Sequence, residues 1–193
     1  EPVLFTVRED FSLGSSSNAW GPVNVNADWN VLVANGKTLN VYGALNSSGR
    51  TITVGGEGFS GTLVLNNAAN ASMTAEWVIT SGSTVRCMNN SALGSGLVTL
   101  DGGTLDFNSQ TIGSTITLNM SGTGTLQNVT VDGAILSYTS SSGNDGITAS
   151  NTTWTSGKID IGRLLQGFSA EGSNTVDLGA ELGEGFSVLG LET

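Results

Sequence analysis

The chain has 193 residues, with 16 acidic and 6 basic side chains, no histidine and one cysteine. An acidic balance of this kind excludes a nucleic-acid binder that works through a basic stripe, because counterion release needs Lys and Arg. The missing histidine excludes Ser-His and Cys-His catalytic pairs and the usual zinc and iron sites, and a single cysteine excludes an intrachain disulfide.

Gly, Ser, Thr and Asn together supply 93 of the residues. Short β-branched runs interrupt this polar text throughout, so the composition predicts an all-β fold of short strands and many turns rather than a disordered chain. No run is long and apolar enough for a membrane helix. The opening "EPVLF" carries no Met and no signal peptide, so a processed mature protein or a piece of a longer one is expected.

In chain order, residues 1–36 form an irregular N-terminal strand or cap segment. "SLGSSSNAWGP" is a loop, and "VNVNADWNVLV" alternates apolar and polar positions as a strand does. Residues 37–138 form the repeat-bearing region. A small unit, Thr-apolar-x-apolar, recurs at Thr38, Thr51, Thr62, Thr84, Thr104, Thr115 and Thr175. Its alternation places apolar residues on one face and Thr or Asn on the other. Glycine-rich breaks such as "GGEGFSG" and "DGG" separate the units and supply the positive φ of tight corners. The cadence of 11 to 13 residues, or about twice that, suits a sandwich, a barrel or a solenoid. Helix signals are confined to one short turn around Ala68–Ala75 and to "RLLQGFSAEG", Arg163–Gly172, which Gly167 interrupts. Residues 139–193 carry more acids and suit a C-terminal β or capping segment; alternatively, all three segments form one continuous domain.

Cys87, in "TVRC", reads as a small buried core residue. "GNDG" is too short for a calcium loop, so no metal and no cofactor are expected. Asn-x-Ser/Thr triplets, among them those at Asn46 and Asn70, are expected by chance in this composition.

One frame occurs twice: "VTLDGGTLDF" from Val98 and "VTVDGAILSY" from Val129. Asp before Gly ends a strand and turns the chain through a side-chain hydrogen bond to the backbone. The competing use is a pair of carboxylates sharing a proton, Asp101 with Asp132. "TLDGG" and "TVDGA" resemble the frame of the aspartic proteases, although Gly102 and Gly133 stand where that family carries a hydroxyl. Asp101 with Asp106 is a second conceivable pair, of the glycosidase kind. Trp20, Trp29 and Tyr42 are candidates for a sugar-stacking platform, against the commoner use of such residues in a β core.

The stretch "GSGLVTLDGGTLDFNSQTIGSTITL" resembles the strand repeats in passenger regions of bacterial autotransporter-like surface proteins, over about Thr38 to Tyr138. That resemblance implies a right-handed parallel β-solenoid, secreted or displayed on a bacterial cell surface, with a structural or adhesive role. A β-sandwich built from the same strands is the alternative architecture, since Asp-Gly is also a hairpin signal. Glycans or glycoproteins are the expected partners, and a membrane enters only through an anchor domain outside this sequence. The competing function is a secreted acidic hydrolase that uses Asp101 and Asp132 on a mucin-like or polysaccharide substrate.

Overall fold

The structure is a computed structural model. It describes residues 1–18, 21–66, 68–80, 82–113, 115–120, 123–138, 146–160, 175–177 and 182–189. Within them lie sixteen strands and no α-helix. In chain order these are β1 (Val3–Val7), β2 (Phe11–Leu13), β3 (Val23–Val25), β4 (Trp29–Val33), β5 (Thr38–Val41) and β6 (Leu45–Val54). They are followed by β7 (Thr62–Leu65), β8 (Thr74–Thr80), β9 (Thr84–Cys87), β10 (Gly96–Asp101) and β11 (Thr104–Ile112). The last five are β12 (Ile116–Met120), β13 (Thr123–Tyr138), β14 (Gly146–Asp160), β15 (Thr175–Asp177) and β16 (Leu182–Leu189).

The chain winds into a β-solenoid of about 6 turns. Every pairing between these strands is parallel, and strands inside the stack pair with the strands one turn before and one turn after. A sandwich of hairpins would need antiparallel neighbours, so the solenoid is the architecture and the sandwich is not. The first face stacks β1, β4, the second half of β6, β8, β10 and β12. The second face stacks β2, β5, β7, β9, β11 and the start of β13. A third face carries β3 on the first half of β6, and further along the ends of β11 on the middle of β13 and β14. Residues 1–36 therefore contribute strands to the same ladders as the repeat region. Arg163–Gly172 lies outside the described residues, whereas the turn expected near Ala68 is a 3₁₀ turn, Ala68–Ser72.

The core follows from strand alternation. Trp29, Ile52, Trp77, Val98 and Leu118 share one register position on the first face. Leu39, Leu63, Val85, Leu105 and Leu126 share one on the second. From Ile52 and Leu39 onward these columns are at most 3 % exposed. Stacked turns thus bury a continuous apolar interior that no single turn could bury alone. Cys87 extends the Val41–Leu65 column and is fully buried, and burial pushes its thiol pKa up.

On the second face the residue before each core position is Thr38, Thr62, Thr84, Thr104 and Thr125, one per turn. Thr148 continues this column in β14. The third face is less regular. Where the 3₁₀ turn interrupts its ladder, Asn70 takes over the missing backbone bonds. Its Oδ1 accepts from Leu45 N–H at 2.8 Å and its Nδ2 donates to Ala92 C=O at 2.7 Å. A buried side-chain amide thus bridges the turns on either side.

Candidate functional site

The corner between the first and second faces varies in length from turn to turn. Seven residues join β6 to β7, three join β8 to β9 and two join β10 to β11. The long segment, Gly55–Gly61, has no counterpart below it and overhangs the shorter corners. Under it lies an open groove of about 520 Å³, lined by Asn35, Glu57, Phe59, Ser60, Thr80 and Asp101 together with Gly56 and Gly58. The groove spans four rungs of the ladder, three spacings or about 14 Å, which is the length of roughly two or three pyranose rings.

Its walls are fixed by the corner sequence. Ser60 donates from both its N–H and its hydroxyl to Asn35 Oδ1, at 2.9 and 2.8 Å, tying the overhang to the turn above. Thr80 Oγ1 donates to Val54 C=O at 3.1 Å, and Ser83 Oγ donates to Phe59 C=O at 3.0 Å, tying it to the turn below. Gly55 has φ +95°, and a Cβ there would collide with the hydroxyls of Ser83 and Thr80. Only glycine permits the chain to leave β6 at that angle and so close to the next corner. Glu57 and Asp101 are exposed, and among the described residues no protein donor reaches either carboxylate. Both are free to accept hydrogen bonds from a ligand.

The aspartates of the repeated frame are placed far apart. Asp101 ends the strand on the first face and starts the corner to the second. Asp132 follows Val129–Val131 on the third face and starts the corner back to the first. Leu100, Met120 and Tyr138 stack in one column, six residues along the strand from Asp132. At about 3.3 Å per residue, the two carboxylates are on the order of 20 Å apart. No shared-proton pair forms between Asp101 and Asp132, and both residues belong to exposed corners.

Asp106 has a different fate. It is 2 % exposed and sits at the corner from the second to the third face. Its Oδ2 accepts from Arg86 Nε at 2.9 Å; its Oδ1 accepts from Asn108 N–H and from Asn128 Nδ2, each at 2.9 Å. Burial alone pushes this carboxyl up, yet the hydrogen bonds from Asn128, Asn108, Arg86 and Gln127 outweigh it and hold the pKa below the ordinary value. The cluster stabilises a corner at which Asn108, Ser109 and Asn128 all adopt positive φ. Asp106 is thereby committed to the scaffold and is not available for a glycosidase pair with Asp101.

Among the described residues the aromatic candidates do not gather into a platform. Trp29 turns inward and packs on the core, and Tyr42 is half-buried just beyond β5. Trp20 lies outside the described residues. Trp77 is fully buried, and its Nε1 donates to Leu93 C=O at 3.1 Å. Phe59 is the aromatic among the residues that line the groove, and neither it nor Glu57 stands out in the sequence. The available signal was the length of "GGEGFSG", the longest glycine-rich break between two strand units.

Among the described residues no group of three or more acidic or cysteine side chains is arranged to hold a metal ion. Comparison with protein-family models, with curated proteins and with solved structures finds no match for this chain.

Proposed function

We propose that this protein is a secreted or cell-surface structural and adhesive repeat protein that holds glycans in the corner groove beneath Gly55–Gly61. The observation that carries the reading is the composition of that groove. Two carboxylates without protein partners, the hydroxyls of Ser60 and Thr80, the amide of Asn35 and the ring of Phe59 converge on one open cleft. Carboxylates and amides satisfy sugar hydroxyls, and an aromatic ring covers the apolar face of a pyranose. The stacked turns supply a rigid rod on which such a cleft keeps its shape. The resemblance to autotransporter passenger repeats supports display outside the cell.

The charge of the cleft narrows the ligand class. Glu57 and Asp101 lie in a chain of net charge -10. Neutral and amino-bearing oligosaccharides therefore suit it, whereas sulfated and sialylated ones are repelled. Binding to immobilised oligosaccharides of these classes tests the reading. The wild type should retain neutral or amino sugars, and the double variant Glu57→Gln, Asp101→Asn should bind them at least about ten-fold more weakly, a loss of about 1.4 kcal/mol. Equal binding by both proteins, or selective retention of sulfated glycans, would sink it.

One observation favours a second reading. Two carboxylates lining one open cleft is also the arrangement of a glycoside hydrolase, with one acting as acid and the other as base or nucleophile. In that case the hydrolase pair is Glu57 with Asp101, not Asp101 with Asp132. Release of new reducing ends by the wild type, abolished by either Glu57→Gln or Asp101→Asn, would select this reading over adhesion.

A further inference from the structure

The corner from the third face back to the first carries a second open groove, of about 400 Å³. It lies where β3 stacks on the first half of β6 and the 3₁₀ turn follows below. Three successive rungs build it: Asn24 and Asn26 from one, Asn46 and Ser48 from the next, Ser72 from the third. Two rung spacings make it about 9–10 Å long, room for about two sugar rings.

A β-bulge shapes this groove. Between Ser48 and Arg50 the register of β6 on β8 shifts, and Gly49 is the extra residue, at φ +62°. Nothing would meet a Cβ at Gly49, so the backbone angle alone asks for glycine there. A bulge re-aims the side chain beside it, and here that side chain is Arg50. Arg50 is exposed and lines the groove. Lys37 pairs with Glu9 and Arg86 with Asp106, whereas Arg50 has no acidic partner among the described residues. No described carboxylate lines the groove. Asp28, two residues after Asn26, is turned to the backbone, where it accepts from Thr51 N–H at 3.0 Å. The rest of the lining has hydrogen-bonding capacity to spare. Asn46 Nδ2 donates to Asn24 Oδ1 at 3.3 Å, which leaves Asn24 Nδ2 and Asn46 Oδ1 open. The side chains of Asn26, Ser48 and Ser72 have no partner among the described residues. Ser47, also in the lining, has a buried Oγ without a hydrogen-bond partner, and an unmade buried bond beside a polar groove marks a place for a polar ligand.

We propose that this groove binds a uronic-acid residue of an acidic oligosaccharide, with Arg50 holding the carboxylate. The planar guanidinium fork matches a planar carboxylate in a bidentate pair. The amides and hydroxyls around it both donate and accept, as the hydroxyls of a sugar ring require. One cation suits one carboxylate. The net charge of -10 repels polyanions, but at physiological salt that field is screened beyond about 8 Å, so the local guanidinium decides for a single charge. An acidic peptide fits less well, because the apolar residues of the lining, Val25 and Met73, are buried and offer its side chains no pocket. The site stands on a different corner from the cleft beneath Gly55–Gly61, and either can fail without the other.

Titration of the nitrogen-15-labelled full chain with cellobiouronic acid, a glucuronate linked to glucose, tests the proposal. Saturable shifts of the side-chain signals of Asn24, Asn26, Asn46 and Arg50 are expected, at one disaccharide per chain. Neutral glycans in the corner groove would instead move the signals of Asn35 and Ser60, so the two readings are scored separately. Arg50→Gln should weaken uronate binding at least about ten-fold. It should keep the wild-type Tm, since the Arg50 side chain bonds to nothing in the described chain. Cellobiose, the same two rings with a hydroxymethyl in place of the carboxylate, should bind this groove at least about ten-fold more weakly. Equal affinity of folded Arg50→Gln for the uronate, or of the wild type for cellobiose at these signals, overturns the proposal. So do uronate shifts confined to other residues. Tighter binding of a hexaglutamate peptide at the same amides would assign the groove to an acidic protein segment instead.

Discussion

Asp101 and Asp106 stand five residues apart at the two ends of one corner and strand, and the solenoid treats them in opposite ways. At the first-to-second corner the chain overhangs its neighbours, and Asp101 faces the groove without a protein donor. At the second-to-third corner the chain packs tightly, and Asp106 is buried under donors from Arg86, Asn108 and Asn128. The lesson concerns capacity. A carboxylate whose lone pairs are filled by its own protein holds the fold together, and one whose lone pairs are empty can hold something else.

The comparison breaks most visibly at Asp106. Replacing it with Ala should leave the Asn108 N–H and the Asn128 amide without their acceptor and Arg86 without its counter-ion. Arg86 is 45 % exposed and its freed charge can reach water, so the cost lies mainly in the orphaned donors, and we expect a loss of about 3 kcal/mol in urea unfolding. If the loss is below about 1 kcal/mol, the corner is held by something other than this cluster. Acid titration sharpens the same point. The folded-state pKa of Asp106 lies below its unfolded value, so the folded protein binds the proton less readily. Its contribution is present above the ordinary carboxylate value of about 3.9 and is lost as the pH falls through the lowered one. Unfolding free energy measured from pH 6 down to pH 2 should fall at the acid end in the wild type, and less steeply in Asp106→Ala.

The next effect in size belongs to the overhang. Gly55→Ala forces a side chain into a positive φ and against Ser83 and Thr80. About 1–3 kcal/mol of stability should go. Glycan retention should weaken with it, since the same residue sets the angle of the groove's upper wall. A variant with wild-type Tm and wild-type retention would show that the overhang does not depend on this glycine. The smallest effect is expected at the exposed carboxylates. Asp101→Asn should change stability by less than about 0.5 kcal/mol while changing glycan retention, the reverse of the pattern at Asp106. A large stability loss at Asp101 would erase the distinction between the two corners.

The strand unit was legible in the sequence because alternation is local. Thr38, Thr62, Thr84 and Thr104 were visible as repeated units, and they form one column on the second face. Thr125 belongs to the same column but does not fit the repeated unit, because "TLQN" lacks the final apolar residue. Thr51 and Thr115 mark the first face, which explains the cadence of half a turn. Glu57 and Phe59 left almost no trace in the sequence, because the role of each depends on what lies one turn above or below.

By itself the sequence determined the all-β class, the inward and outward positions of most strands, the burial of Cys87 and the places where the chain must turn. Strand alternation and glycine corners are properties of a few neighbouring residues, so they survive without knowledge of the fold. The tertiary structure alone decided which repeats meet. The copies of the Val-Thr-apolar-Asp-Gly frame begin at Val98 and Val129, 31 residues apart, whereas successive turns on the first face shorten from 26 residues, Val3 to Trp29, to 18, Leu118 to Leu136. A spacing that is not a whole number of turns carries the second copy to another face. Likeness in sequence therefore separates Asp101 from Asp132, while stacking brings Asp101 to Glu57, a residue with no likeness to it at all.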